Sequence, residues 1–267
     1  MMMRVAIENG VREVVEDSSG NAGASIAAYS ARAGIKAHVF VPDTAPEAKI
    51  LQIRGYGAEV HLISGPRDKT TAAAIAFCKK RNLVYASHNL SPYFLEGTKL
   101  YAYELVRNKF QIPDHMVFPV GNGSLYIGTW IAFQELLKVG ATHSVPRMHC
   151  AQPTAVMPIV ADYKGDTWDP KNAKETVAGG IAVTTPPRRK RILNILHETN
   201  GVAVNVDDGD TLAWRTRLGN LEGIYAEATS AAAFAGLAKL VSNGTIQPNE
   251  TVLVPITGFG LKDGTSI

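Results

Sequence analysis

Apolar positions along this chain alternate between two spacings. Short runs rich in valine and isoleucine read as strands. Between them lie longer stretches whose apolar residues return roughly every three to four positions, as on a one-sided helix. Val11–Glu16 reads as a strand, Ala22–Ala33 as a helix closed by Gly34, and His38–Val41 as the next strand. Pro46 opens a helix that runs to Ile53; Glu59–Ile63 is a strand, Lys69–Lys80 a helix, Val84–Ala86 a strand and Phe94–Asn108 a long helix. Further along, His115–Val120 is a strand that enters a helix through Leu137, and Arg147–Ala151 is another strand. The polar stretch Tyr163–Thr176 reads as a surface excursion. Helices at Arg189–Thr199, Asp210–Asn220 and Ser230–Ser242 precede a last strand, Glu250–Ile256. Strands that alternate with helices in this way predict parallel sheets covered by helices, an α/β fold.

Three polar or glycine-rich turns follow predicted strands: Ser18–Gly23, Gly121–Ser124 and Thr257–Gly260. Open parallel sheets bind ligands just beyond the carboxyl ends of their strands. The Gly121-Asn122-Gly123-Ser124-Leu125 loop has little bulk and runs into a helix, so its backbone N–H groups and the helix dipole suit an anion. It lacks the Gly-Lys-Ser/Thr ending of a nucleotide P-loop, and Ser18–Gly23 does not supply the glycine spacing of a dinucleotide fingerprint. A small phosphorylated cofactor fits better than ATP or NAD. Asn21 offers both a donor and an acceptor, and Thr257 a hydroxyl without full charge.

Composition narrows the class without choosing the chemistry. A chain of 267 residues, 46% of them apolar, can build two domains. A net charge of +3 does not ask for nucleic acid, and no apolar run approaches the ~20 residues of a membrane span. Cys78 and Cys150 sit in apolar segments and predict reduced, buried thiols in a cytoplasmic protein. The basic run Pro187-Arg188-Arg189-Lys190-Arg191 reads as a solvated helix start. The seven histidines share no metal-type spacing, so no metal is expected. Glu227 and Asp207-Asp208 read as helix caps.

Five segments carry a resemblance: Ser18-Ser19-Gly20-Asn21, Glu96-Gly97-Thr98-Lys99, Pro119-Val120-Gly121-Asn122-Gly123-Ser124, Ser230-Ala231-Ala232 and Thr257-Gly258-Phe259-Gly260-Leu261-Lys262-Asp263. In this order the chain resembles the fold-type II pyridoxal-phosphate enzymes, most closely the threonine synthases and threonine synthase-like proteins. The resemblance implies two parallel-sheet, three-layer α/β domains of the tryptophan synthase β-like type, with N-terminal strands missing. Residues 1–10 would be the tail of a helix, 11–108 a smaller α/β domain and 109–267 a larger, incomplete one. It implies pyridoxal 5′-phosphate as cofactor, with Asn21 on the pyridine 3′-oxygen, Gly121, Asn122, Gly123, Ser124 and Leu125 around the phosphate, and Thr257 on the ring nitrogen. Ser18, Ser19, Ala22 and Asn89 would line the place of a small amino-acid substrate. The implied reaction turns O-phosphohomoserine and water into threonine and phosphate, and the implied assembly is a homodimer.

Two departures qualify that pattern. The family's Schiff-base lysine falls upstream of Met1, no lysine precedes Ser18, and no other lysine is singled out, so the chain is expected to hold no catalytic lysine. Where the resemblance leads one to expect a hydroxyl residue and an arginine for the substrate phosphate, the chain has Ala22 and Phe94. These changes keep open a serine/threonine dehydratase-like β-eliminase and a non-catalytic remnant.

Overall fold

A computed structural model describes residues 1–65 and 67–263, which form two compact units. The first comprises Met1–Gly97 together with Lys262 and Asp263. It begins with α1 (Met2–Glu8), β1 (Glu13–Glu16), α2 (Asn21–Ala33), β2 (Lys36–Pro42) and α3 (Glu47–Gly55). It continues through β3 (Glu59–Ile63), α4 (Arg67–Arg81), β4 (Val84–Tyr85) and the start of α5 (Pro92–Thr98). The four strands are parallel in the order β3-β2-β1-β4.

Strand alternation sends successive side chains of this sheet to opposite faces. Val14, Ala37, Val39 and Val41 join Ile26 and Ala27 of α2 and Met3 of α1 in one cluster. Val15 and Phe40 join Ala74 and Cys78 of α4 in another. Helices therefore cover both faces, the usual condition of a parallel sheet. The predicted end of α2 is where expected, with Gly34 in the left-handed region at φ +66°.

The second unit spans Thr98–Leu261. Its elements are α6 (Leu100–Arg107), β5 (His115–Pro119), α7 (Ser124–Lys138), β6 (Arg147–Pro153) and α8 (Pro158–Lys164), followed by α9 (Arg189–Glu198), β7 (Ala203–Val206), α10 (Asp208–Glu222), α11 (Ala228–Ser242) and β8 (Val252–Leu253). The strands are again parallel, in the order β7-β6-β5-β8. Helix α11 lies close on the sheet because Gly236 has no side chain: a Cβ there would come within 2.8 Å of the Ala151 methyl carbon. On α7 the rings of Tyr126 and Phe133 are fully buried, and the Tyr126 hydroxyl donates to the Met148 carbonyl at 3.0 Å.

Three features differ from the sequence expectation. The helix expected over Phe94–Asn108 is two helices that part at Lys99, whose buried ammonium is held by the Glu135 carboxylate at 2.8 Å. Strand β7 was absent from the pattern, because Asn205 interrupts a run of only four residues. Helix α8 begins on Pro158 and overlaps the start of the stretch expected to be a polar excursion.

A pair of histidines links β5 and β6. His149 Nδ1 accepts the Val202 N–H at 3.0 Å, so its proton sits on Nε2 and faces His115 Nδ1 at 2.9 Å. Burial, helped by the neighbouring His115 and Arg147, lowers the pKa of His149 from 6.5 to about 3. Unfolding then releases a group that binds a proton more readily than in the folded chain. Stability from this group is present above about pH 6.5 and lost as pH falls toward 3, at no more than about 1.4 kcal/mol per pH unit. Urea unfolding of His149→Asn is expected to show a shallower loss of stability between about pH 6 and pH 4 than the unaltered chain. An unchanged slope would assign the acid sensitivity to other groups.

Candidate functional site

In the first unit, the Ser18–Gly23 turn carries β1 into α2. Gly23 is obligatory in physical terms, since a Cβ there would lie 1.8 Å from the Ser18 carbonyl oxygen. The Gly20 N–H donates to Ser18 Oγ at 3.2 Å, and helix α2 starts on Gly20 with no side-chain cap. Backbone N–H groups at such a helix start attract anions. Ser18, Ser19 and Ala22 are half-buried and Asn21 is exposed. Lys262 Nζ donates to Asn21 Oδ1.

Behind the turn lies a buried polar network that the sequence reading missed. Glu16 is fully buried and accepts two hydrogen bonds from His88, one from Nδ1 at 2.6 Å and one from the backbone N–H at 3.2 Å. Burial raises the Glu16 pKa, and the His88 hydrogen bonds oppose that rise. Asp17 accepts from Arg67 at 3.0 Å and from Thr71 at 2.6 Å. The Glu16–His88 pair thereby ties the Ser18 turn to the loop that carries Asn89. Asn89 donates its N–H to Ser87 Oγ at 3.3 Å, and its side-chain oxygen is buried without a hydrogen-bond partner. Phe94 packs edge-on against the His88 ring, 5.9 Å between centroids.

In the second unit, Gly121–Gly123 joins β5 to α7. A Cβ on Gly121 would stand 3.0 Å from both the Ile181 Cα and a Val183 methyl carbon. Gly123 has φ +76° and is pressed against Ile192, so its conformation and its surroundings both exclude a side chain. It starts α7 with no side-chain cap. Ser124 Oγ accepts from Arg188 Nη1 at 3.3 Å. Desolvation lowers the Arg188 pKa, and a guanidinium keeps its charge in proteins. Asn122 is half-buried.

The basic run does start helix α9, with Lys190 and Arg191 exposed, but it is less solvated than expected. Arg188 reaches Ser124, Arg189 pairs with Asp162, and Arg191 lies 4.3 Å over the Trp130 ring. Only in three dimensions do these cations find their partners.

Thr257, beyond β8, sits against the start of α11. Its N–H donates to Ser230 Oγ at 2.8 Å, its hydroxyl donates to Glu227 Oε1 at 2.8 Å, and the two hydroxyls are 3.0 Å apart. Glu227 is buried, and its side chain does not cap α11 as expected. Gly258 permits this packing, because a Cβ there would lie 2.3 Å from the Glu227 carboxyl carbon. Gly180 donates to the neighbouring Thr229 Oγ1 at 3.2 Å, and its own chain segment walls Gly121. The glycine loop and the Thr257 hydroxyl are therefore buttressed by adjacent residues. Asp207, too, makes no side-chain cap; the Asp208 carboxylate instead holds Thr176 Oγ1 at 2.6 Å and the Val177 N–H at 3.0 Å.

Residues 1–258 match the family described as "Pyridoxal-phosphate dependent enzyme". The chain belongs to this family. Its cofactor class is thus pyridoxal 5′-phosphate. The chain is 35% identical over 266 residues to the threonine synthase of Methanosarcina acetivorans and 34% identical over 262 residues to that of Methanocaldococcus jannaschii. These alignments cover 98% and 97% of the chain but 65% and 64% of the relatives, so the chain spans a little under two thirds of their length. Among solved structures, the processed form of threonine deaminase isoform 2 from Solanum lycopersicum aligns with a TM-score of 0.78 at 20% identity, covering 97% of the chain and 71% of that structure. Serine racemase from Dictyostelium discoideum aligns with a TM-score of 0.77 at 20% identity, covering 100% of the chain and 83% of that structure. The two four-stranded parallel sheets with their helices are those of fold-type II pyridoxal-phosphate enzymes. Among the described residues no helix is long and apolar enough to cross a membrane.

Proposed function

We propose that this chain carries the pyridoxal-phosphate site of a threonine synthase-type lyase acting on O-phosphohomoserine. The observation that supports this reading best is the Gly121–Leu125 loop. Gly121 is tightly walled, Gly123 holds a left-handed backbone against Ile192, the loop opens α7 without a side-chain cap, and Arg188 reaches its Ser124 hydroxyl. A compact, positively biased cradle at a strand end suits a phosphate. The donors present fit the cofactor. In this reading Gly121, Asn122, Gly123, Ser124 and Leu125 hold the cofactor phosphate, Thr257 meets the ring nitrogen and Asn21 the 3′-oxygen. Once bound, pyridoxal phosphate supplies an electron sink for amino-acid chemistry.

The remaining roles belong to the protein. Glu227 and Ser230 orient the Thr257 hydroxyl through their hydrogen bonds. Ser18, Ser19 and Ala22, at the start of α2, receive the substrate carboxylate, and the buried Asn89 side-chain oxygen offers the substrate an acceptor. The reading assigns covalent attachment to none of the described lysines. Lys36 is held by Glu59 at 2.8 Å, Lys99 by Glu135 at 2.8 Å, Lys49 by Asp263 at 3.3 Å, and Lys262 by Asn21. The chain by itself then binds cofactor without turning substrate over. Borohydride reduction of the chain loaded with pyridoxal phosphate, followed by peptide mapping, is expected to give scattered labelling below one equivalent. One equivalent on a single lysine would overturn that assignment.

A dehydratase-like β-eliminase is the second reading, favoured by Phe94, which packs on His88 where the resemblance leads one to expect a phosphate-binding arginine. Calorimetric titration of the cofactor-loaded chain separates the two. A non-hydrolysable phosphonate analogue of O-phosphohomoserine should bind at least about tenfold more tightly than threonine, a difference of about 1.4 kcal/mol that one charge-assisted contact can supply. Equal or reversed affinities would favour the β-eliminase.

A further inference from the structure

A second constellation of ligating side chains lies in the first unit, on the sheet face covered by α4. His38 of β2 and Glu59 of β3 are register partners, and His61 stands two residues beyond Glu59, on the same face. His38 Nδ1 and His61 Nε2 are 3.2 Å apart. Glu59 brings one carboxylate oxygen to 3.5 Å from His38 Nδ1 and the other to 3.6 Å from His61 Nε2. One ligand atom from each of the three residues falls within 4.8 Å of the others. We infer that His38, His61 and Glu59 form a binding site for a first-row divalent transition-metal ion of the Zn²⁺ class, with Glu13 as the outer carboxylate that orients His38.

Four observations carry this assignment. The first is spacing. With metal–nitrogen bonds of about 2.0–2.1 Å, the edge of a tetrahedral site is about 3.3 Å, close to the 3.2 Å between His38 Nδ1 and His61 Nε2, and rotation of the half-exposed Glu59 carboxylate brings one oxygen toward both. The second is the hydrogen bond from His38 Nε2 to Glu13 at 2.8 Å, which leaves the Nδ1 lone pair facing His61 and Glu59. A carboxylate behind a ligating imidazole is the common second-shell arrangement of such sites.

The third is rigidity. His38 is fully buried, Phe40 stacks on the His61 ring at 4.3 Å, and Phe77 packs against both imidazoles at 4.9 and 5.2 Å. The fourth is a contrast within the same chain. The His115–His149 pair has a similar nitrogen–nitrogen approach, yet the Val202 N–H occupies the remaining His149 nitrogen and fixes a hydrogen-bond relay. His61 also donates from Nε2 to His38 Nδ1, but among the described residues no hydrogen bond holds its far nitrogen, Nδ1, so the ring can shift its proton there when an ion arrives.

Lys36 contacts Glu59 at 2.8 Å and Arg81 contacts Glu13 at 3.3 Å. Both cations are about half exposed and can swing away from the carboxylates. Glu59 is also half exposed, so the fourth coordination position is open to water. Strand β3 is the edge of its sheet, and an ion here would pin it to β2.

The test uses the chelator-treated, untagged chain titrated with Co²⁺ as a spectroscopic probe and then with Zn²⁺. One equivalent of Co²⁺ should give the visible bands of a tetrahedral nitrogen–oxygen site, and one equivalent of Zn²⁺ should displace it. Affinity should fall at least about 100-fold in His61→Ala, and about 10- to 100-fold in Glu13→Gln, as expected for loss of an outer-shell partner. Both positions are partly exposed, so these variants remain informative if the buried His38→Ala fails to fold. Zn²⁺ should raise the unfolding temperature of the unaltered chain and not that of His61→Ala. Absence of stoichiometric binding at submillimolar free ion, or binding unchanged in His61→Ala, would overturn the assignment.

Discussion

Close approach of backbone to backbone at glycine is the constraint on which each unit depends. At residue 23 there is no room even for a methyl group, because the Ser18 carbonyl oxygen occupies its place. At residue 121 the segment 180–183 leaves only tight room, and at residue 123 a left-handed backbone pressed on Ile192 disfavours any side chain. Such turns cost conformational entropy, since glycine loses more freedom on ordering than any other residue. What they provide is a helix start delivered directly at the carboxyl end of a strand, with its N–H groups uncovered by side chains. The proposed cofactor site is thus a consequence of how tightly strand and helix are joined.

Buried polar contacts then hold those turns in place. The Glu16–His88 pair spans 72 residues of chain and draws two loops together, while Glu227 and Ser230 grip Thr257 from the start of α11. Buried carboxylates are expensive unless fully hydrogen-bonded. Their presence beside Ser18 and Thr257 fits a proposed site whose geometry stays fixed before a ligand arrives. Arg188 adds the charge that backbone amides alone lack.

Much of the fold was legible from periodicity alone. Helices α2, α7, α9 and α11 and strands β1, β2, β3, β5 and β6 follow from apolar spacing, and the glycine turns mark where ligands gather. The resemblance spread over five segments was confirmed by the family match. What the sequence concealed lies in contacts between distant positions. Ser124 and Arg188 are 64 residues apart, and Glu227 and Thr257 are 30 apart. Read along the chain, Arg188 is an ordinary solvated charge and Glu227 an ordinary helix cap. The histidines were read as lacking metal-type spacing, yet pairing of β2 with β3 sets His38 beside Glu59, and the two-residue strand period adds His61. Strand β7 escaped notice because its packing comes from its neighbour β6 more than from its own four residues.

The most direct test of the central claim is equilibrium dialysis of pyridoxal phosphate against the chain and its Gly123→Ala variant. The account predicts one saturable equivalent for the unaltered chain, with affinity at least about tenfold weaker in the variant, where a methyl group meets Ile192 at a left-handed backbone position. Equal binding by the two proteins, or no saturable binding by the unaltered chain, would contradict it.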